Sequence, residues 1–291
     1  MEENIVIIIM QESPINCNFK LSSLNRQFHL DLPNQHSLFF YLLLLVMIIA
    51  QLQAMLIGFL FFFKRSGDRR SNAFFGSLLI LFSFTLLHYI LIYTGIYEAV
   101  QEIQFIPIYF TLSLPVFLFY HIKLMLFPTY KLRWTDAKHF ILPAGQVLYF
   151  LITYFSNEGF QGNFGRKDGS LFYGALEQFL YLLTFFAYLY FSYRYILVKK
   201  RVIRHPLDAK KVWYTEKLVQ VFFFLFCLHA GFMLVDYFVY AFWQIDLRAN
   251  RVFAALGMLS FVALLMCLGT YGFQVLIWGR KLLNQDLRKH Y

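Results

Sequence analysis

Charged residues in this chain are confined to short links between long apolar stretches. Seven stretches are each long enough to cross a hydrocarbon core, which needs about 20 apolar residues as helix. We predict them near Ser37–Phe63, Asn72–Thr94, Ile103–Phe127, His139–Phe155, Gly174–Leu197, Lys217–Trp243 and Val252–Trp278. Only 14% of the 291 residues are charged, where a soluble domain is about one-quarter charged. The sequence therefore predicts an all-α membrane protein, a seven-transmembrane-helix bundle.

The positions of Lys and Arg predict the orientation of this bundle. The links KRSGDRRS, PTYKLRWTDAK and VKKRVIRHPLDAKK and the tail GRKLLNQDLRKHY hold four, three, six and four basic residues. The opposite links IYEAVQEI, SNEGFQGNFGRKDGSLFY and QIDLRAN with Arg251 hold none, two and two. Because basic residues collect on the cytoplasmic side, we predict an N-terminus outside and a C-terminus inside. An odd number of spans agrees with that orientation.

The chain contains no link long enough to form a soluble domain. We predict an irregular external tail at 1–36, a transmembrane domain at 37–279 and a short basic cytoplasmic tail at 280–291. Translation beginning at Met47 is an alternative explanation for the patternless tail. Three cysteines are dispersed, at Cys17, Cys227 and Cys267, which indicates neither a disulfide framework nor a zinc site.

Ionisable residues inside the apolar stretches are the candidate binding residues. Such residues are costly in a bilayer and usually face other protein or a water-filled cavity. His88, Glu177 and Asp236 come from three helices at similar predicted depth, and His229 and Tyr181 lie on the same polar faces. We predict that these five line an outward-facing ligand pocket. The alternative is that Glu177 and Asp236 lie separately in interfacial water and that His229 bonds a carbonyl of a neighbouring helix.

Several enzyme and cofactor classes lack their residues here. The seventh stretch has no lysine for a retinal Schiff base and no histidine pair for an intramembrane zinc site. The chain also has no H-E-x-x-H, G-x-S-x-G or P-loop motif. We therefore predict no cofactor, no metal and no enzymatic activity. An intramembrane enzyme using an Asp/His pair and a small-solute or lipid transporter stay open as alternatives, although no interrupted helices recur in two halves as many transporters require.

Three stretches of the first four helices carry a family resemblance. They are LIGFLFFFKRSGDRRSNAFFGSLLILFSFTLLHYILIYTGIYE, SLPVFLFYHIKLMLFP and LRWTDAKHFILPAGQVLYFLI. The features are a basic link followed by Asn72, a run led by Pro115, and His139 and Phe140 before Pro143. This resembles the membrane-sensor half of bacterial membrane-bound AraC-type transcriptional regulators. The resemblance implies a receptor-like sensor in the bacterial cytoplasmic (inner) membrane.

The chain departs from that family after its seventh stretch. Those regulators continue into a cytoplasmic helix-turn-helix domain, whereas only GRKLLNQDLRKHY follows here, too short for two helices and a turn. We therefore expect no direct contact with nucleic acid. The expected partners are the lipid bilayer, a small ligand, and a cytoplasmic regulator or a second copy of the chain. A stand-alone protein and a truncated regulator are both consistent with this pattern.

Overall fold

Helix is the only regular secondary structure in the part of the chain that the structure covers, which confirms the predicted all-α class. The computed structural model describes residues 38–64, 67–99, 106–155, 175–203, 206–245, 247 and 250–289. Its longer helices are α1 Leu38–Phe63, α2 Arg69–Tyr93, α3 Leu114–Leu126, α4 Ile141–Phe155, α5 Ala175–Val202, α6 Pro206–Trp243 and α7 Arg251–Lys289. A single turn, Ile96–Ala99, follows α2, and the 3₁₀ segments Thr111–Ser113 and Trp134–Phe140 precede α3 and α4. The predicted tail at 1–36 lies outside the described residues.

Five of these helices are long and apolar enough to cross a membrane: α1, α2, α5, α6 and α7. The predicted third span, Ile103–Phe127, is shorter as helix than expected, because α3 begins only at Leu114. Pro115 lies in its first turn, where a residue without an N–H fits a helix start. The predicted fourth span also starts later as α-helix, since Trp134–Phe140 is 3₁₀. Conversely, α6 and α7 extend past their predicted inner limits, to Pro206 and Lys289.

Six helices form a closed ring. In spatial order, α1 packs on α2, α2 on α3, α3 on α5, α5 on α6, α6 on α7, and α7 again on α1. Helix α2 also packs against α7, across the ring. The shorter α4 lies outside this order and packs mainly on the two 3₁₀ segments. It is therefore attached to the bundle chiefly through irregular backbone.

Three glycines allow α1, α2 and α7 to approach closely. A Cβ on Gly76 of α2 would lie 2.8 Å from the carbonyl oxygen of Gly58 on α1, and a Cβ on Gly58 would lie 3.0 Å from that of Gly76. On α7, a Cβ at Gly272 would meet Phe75 at 2.8 Å and Ile57 at 2.9 Å. Helices in lipid gain little from the hydrophobic effect, so such small-residue contacts are a main source of their association.

Stacked phenylalanines occupy the centre of the ring. Phe185 of α5 stacks on Phe226 of α6 with ring centroids 4.2 Å apart. Phe82 of α2 contacts Phe261 of α7 at 5.2 Å and Phe222 of α6 at 6.4 Å. All five rings are buried. Aromatic pairs in these geometries contribute about 0.5–1.5 kcal/mol beyond their area, which joins four helices at one level.

The basic links meet at one end of the bundle, which we call the basic end. Lys64 after α1 places its Nζ 3.4 Å from the Val275 carbonyl of α7, and Arg70 donates to the Tyr130 carbonyl at 2.8 Å. Lys200 of α5 forms an ion pair of 2.7 Å with Glu216 of α6. Desolvation, and then the charge of Lys211, lowers the pKa of Lys64 to about 8. The far side of the bundle is the opposite end.

Candidate functional site

Glu177 is the central acceptor of a buried polar cluster near the opposite end. It lies in the first turn of α5, where a carboxylate is favoured by the helix dipole, and it is only 2% exposed. The Thr111 hydroxyl donates a short hydrogen bond to Oε1, and the Tyr109 hydroxyl donates to Oε2 at 3.4 Å. The alternative that Glu177 lies in interfacial water is therefore wrong.

Irregular backbone before α3 forms one wall of this cluster. In a regular helix, two backbone N–H groups of this segment would donate to carbonyls of the preceding turn, but here they donate to side chains. Phe110 N–H donates to Thr85 Oγ1 at 3.2 Å, and Leu112 N–H donates to Gln146 Oε1 at 3.1 Å. The Gln146 amide also donates to Thr111 Oγ1 at 3.1 Å. Non-helical backbone at membrane depth is tolerated only where protein satisfies it. Gln146 of α4 thus connects the backbone before α3 to the residue that binds Glu177.

His88 joins the cluster through an aromatic neighbour. Its Nδ1 lies 2.8 Å from the Tyr97 hydroxyl, and its ring centroid is 4.7 Å from that of Tyr109. Because Tyr109 also donates to Glu177, the predicted proximity of His88 and Glu177 is present, with one tyrosine between them. All four side chains are buried.

Tyr181 and His229 extend the cluster towards the bundle centre. Tyr181 lies one turn after Glu177 on α5, and its ring meets that of His229 on α6 edge to face, with centroids 6.2 Å apart. The exposed fractions are 1% and 5%. Within the described ranges, neither the Tyr181 hydroxyl nor His229 Nε2 has a hydrogen-bond partner.

Ser260 of α7 determines the tautomer of His229. Its hydroxyl donates to the Gly257 carbonyl at 2.6 Å, and the same oxygen lies 2.8 Å from His229 Nδ1. A serine hydroxyl carries one proton, so a Ser260 that donates to Gly257 accepts from His229, which favours the tautomer with the hydrogen on Nδ1. Nε2 of the neutral ring is then an acceptor. His229 thus bonds a neighbouring helix, as the alternative predicted, but through the Ser260 hydroxyl instead of a carbonyl.

Asp236 lies two turns beyond His229 on α6. It is 3% exposed, which excludes the alternative that it lies in interfacial water. The seven-residue spacing places both side chains on the same helix face. A pocket shared by Asp236 with His88 and Glu177 stays a prediction.

A second buried polar cluster lies at the basic end. Lys123 of α3 is 6% exposed, and His121 is 1% exposed, so both side chains are enclosed by protein. Lys123 Nζ lies 3.5 Å from Asp136 Oδ1 and 3.7 Å from the centroid of the Tyr130 ring. Tyr195 of α5 adds another ring at 5.7 Å. The lysine is held by a carboxylate and aromatic faces, a combination that stabilises a buried cation.

Asp136 is bound strongly enough to stay ionised. Burial alone would raise its pKa, but the Arg133 N–H, the Tyr130 and Tyr120 hydroxyls and the charge of Lys123 together lower the pKa to about 2. The Arg133 amide donates at 2.8 Å, and the Tyr130 hydroxyl lies 2.8 Å from both carboxylate oxygens. These contacts fix the link between α3 and α4 to the bundle.

Sequence patterns did not single out Gln146, Thr111, Tyr109 or the Lys123–Asp136 pair as site residues. Gln146 is the only amide side chain among the fifteen residues of α4. A single amide in an apolar helix is the feature that could have marked it as a candidate site residue. The contacts of Asp136 depend on how the link folds back on α3, for which periodicity contains no information.

Within the described ranges, no three His, Cys, Asp or Glu side chains come together as a metal site requires.

Comparison with known proteins identifies no relative. No protein-family model, curated protein or solved structure matches this chain. The chain is thus described by its structure as a helical, multi-pass membrane protein.

Proposed function

We propose that this protein is a receptor-like sensor of the bacterial cytoplasmic membrane. A small ligand binds in the cluster near the opposite end, and the basic end reports its binding to a cytoplasmic partner. The resemblance to the sensor half of AraC-type regulators supports the same function. A ligand acts by preferring one of two packings of the bundle.

One observation carries the proposal: two neighbouring buried groups, Tyr181 O–H and His229 Nε2, each with an unused hydrogen bond. A buried polar group without a partner costs about 1–3 kcal/mol. Here one group is a donor and the other an acceptor. A small molecule with both a donor and an acceptor, such as a hydroxyl compound or a primary amide, satisfies the two together.

A route from this cluster to the basic end follows α3, α4 and α5. Gln146 joins α4 to the cluster, and ten residues earlier Asp136 holds the entry to α4 against Lys123. Between them, His139 Nδ1 lies 2.7 Å from the Tyr188 hydroxyl of α5. A displacement of Thr111 or Glu177 on ligand binding therefore acts on α4, which packs mainly on the two 3₁₀ segments.

Thermal unfolding of the full chain in nanodiscs tests the binding site. The probes are glycerol and acetamide, which carry donor and acceptor, and tetramethylammonium, which carries neither. We expect the first two to raise the Tm of the wild-type protein and of Tyr190→Phe, an exposed tyrosine on the same helix. Tyr181→Phe removes the unpaired hydroxyl, so it should leave the unliganded Tm equal or higher and abolish the shift. A shift that survives in Tyr181→Phe excludes this site.

Signalling needs a second readout, at the basic end. A fluorophore can report on the α3–α4 link if it is attached to Lys131→Cys, at an exposed position of that link. The three native cysteines are replaced by serine, so that only this position is labelled. We expect its emission to change with the same solutes, and not in Tyr181→Phe. Binding without any change in emission would favour a function other than sensing.

The irregular backbone before α3 favours a transporter as the second candidate. Transporters bind solutes where helices are interrupted near the midplane, and residues 106–110 precede α3 without helix beside Glu177. Proteoliposomes in an iso-osmotic solution of a solute that binds should then swell faster than protein-free liposomes. Equal swelling rates exclude transport of that solute.

A further inference from the structure

A groove on the outer surface of α5 lies apart from the cluster around Glu177 and beside the polar cluster at the basic end. It has a volume of about 560 Å³ and is lined by Phe127, Tyr190, Phe191, Arg194, Tyr195 and Val198. Five of these residues recur along one side of α5, and Phe127 follows the end of α3. The groove is therefore a furrow between two helices in the half of the bundle nearest the basic end, and the described residues leave it uncovered.

Arg194 is the single charged residue that lines this groove. It lies three residues before Leu197, where the predicted span ends, about 4.5 Å along the helix, and its side chain is exposed. Its guanidinium lies 3.3 Å from the Tyr190 hydroxyl and 6.0 Å from the centre of that ring. No carboxylate among the described residues lies within ion-pair distance of it. A cation just inside the membrane surface is favoured by an anionic lipid headgroup beside it.

A second cation lies at the rim of the groove. Lys199 places its Nζ 5.4 Å from the centre of the Phe127 ring, whereas the adjacent Lys200 is paired with Glu216. The groove thus combines an aromatic and aliphatic floor with two basic side chains towards the membrane surface. Basic pockets of this kind between helices on the cytoplasmic side suit anionic lipid headgroups.

We propose that this groove binds one anionic phospholipid, with its phosphate between Arg194 and Lys199 and an acyl chain along the aromatic floor. The apolar lining explains why the ligand is a lipid: a soluble phosphate contacts the cations and leaves the floor uncovered. The groove also shares Tyr195 with the rings around Lys123, so an occupied site stabilises the adjacent α3–α5 contact.

Native mass spectrometry of the delipidated full chain tests the proposal by titration with the anionic lipid POPG or the zwitterionic lipid POPC. We expect wild-type protein to bind one POPG in preference to POPC. Since one basic residue near an anionic headgroup contributes about 1 kcal/mol, Arg194→Gln should weaken POPG binding about fivefold. The matched control is Lys217→Gln, an exposed lysine on α6 with the same change of charge, and it should bind POPG as the wild type does.

Inorganic phosphate separates a lipid from a free anion. We expect POPG, and not phosphate, to raise the Tm of the wild-type protein in detergent, with the rise reduced in Arg194→Gln. Equal POPG binding by Arg194→Gln and Lys217→Gln, equal affinity for POPC, or equal stabilisation by phosphate would each overturn the proposal. None of these outcomes depends on the ligand of the opposite end.

Discussion

Gln146 completes the backbone hydrogen bonding of Leu112: its side-chain Oε1 accepts the Leu112 N–H at 3.1 Å, thirty-four residues away. The glutamine is fully buried and belongs to α4, whereas the amide precedes α3. A side chain of one helix therefore supports the irregular start of another. The same glutamine donates to Thr111, which binds Glu177.

Replacing this glutamine tests its structural role. Gln146→Leu keeps the approximate volume but leaves the Leu112 N–H without its acceptor and removes the hydrogen bond that Thr111 Oγ1 accepts. We expect a loss of about 1–3 kcal/mol in the free energy of unfolding, measured by SDS titration of the protein in mixed micelles. The control is Gln220→Leu, at an exposed position of α6, which should cause no loss. Equal stabilities of the two variants would show that Gln146 contributes nothing.

The glycine contact between α1 and α2 predicts a second effect. In Gly76→Ala the new methyl group would lie 2.8 Å from the Gly58 carbonyl oxygen, so the helices must separate. Forced overpacking of this kind costs about 1–3 kcal/mol, and the same SDS titration measures it. Gly231→Ala on α6 is the control, because nothing lies within 4 Å of its Cβ. If Gly76→Ala is as stable as Gly231→Ala, the close contact does not form.

Asp136 predicts the response of stability to acid. Its pKa is about 2 in the folded protein against an ordinary 3.8, so folding favours the carboxylate. The stability it contributes is complete above its ordinary pKa and is lost as the pH falls through 3.8 towards 2. We expect the Tm of wild-type protein to fall more steeply than that of Asp136→Asn over this window. Parallel curves would mean that the carboxylate is not stabilised by its partners.

Topology is a separate prediction. Asp136 contacts Lys123 at the basic end and Gln146 contacts Thr111 near the opposite end, so α3 and α4 with their 3₁₀ segments each connect the two levels. We therefore expect seven crossings. Reporter fusions after Lys211 and Tyr291 should read cytoplasmic, and a fusion within 159–169, outside the described residues, should read external. A fusion at Lys131 in the α3–α4 link should read cytoplasmic, because an external reading there leaves five crossings. An external C-terminus removes the orientation.

A double-mutant cycle tests the shared pocket of Asp236 and His88. If the two buried side chains lie in one electrostatic environment, Asp236→Asn and His88→Asn should couple by about 0.5–3 kcal/mol. The cycle uses free energies of unfolding from SDS titration. Asp236→Asn combined with Gln220→Leu serves as the additive control. A coupling energy equal to that of the control would place Asp236 outside the pocket.

Apolar length predicted where the helices lie, and the structure has helix in each of the seven predicted stretches. It did not predict the 3₁₀ segments that precede α3 and α4. The segment before α3 depends on Thr85 and Gln146, side chains of other helices that accept hydrogen bonds from its backbone. Burial of Glu177 and Asp236 followed from their position in apolar stretches. The contacts of Lys123 did not, because a lysine near a helix end normally reaches water, and only the folded link supplies Asp136 and Tyr130.

The length of α7 has a mechanical consequence. Its 39 residues form a rod of about 58 Å, almost twice the thickness of a hydrocarbon core. The rod packs against α1, α2 and α6, and the close contact at Gly272 lies 17 residues before its end, about 26 Å along the helix. A tilt of about 10° at Gly272 would move the far end by about 4 Å. A small change of packing at this contact is therefore magnified at the end of the helix.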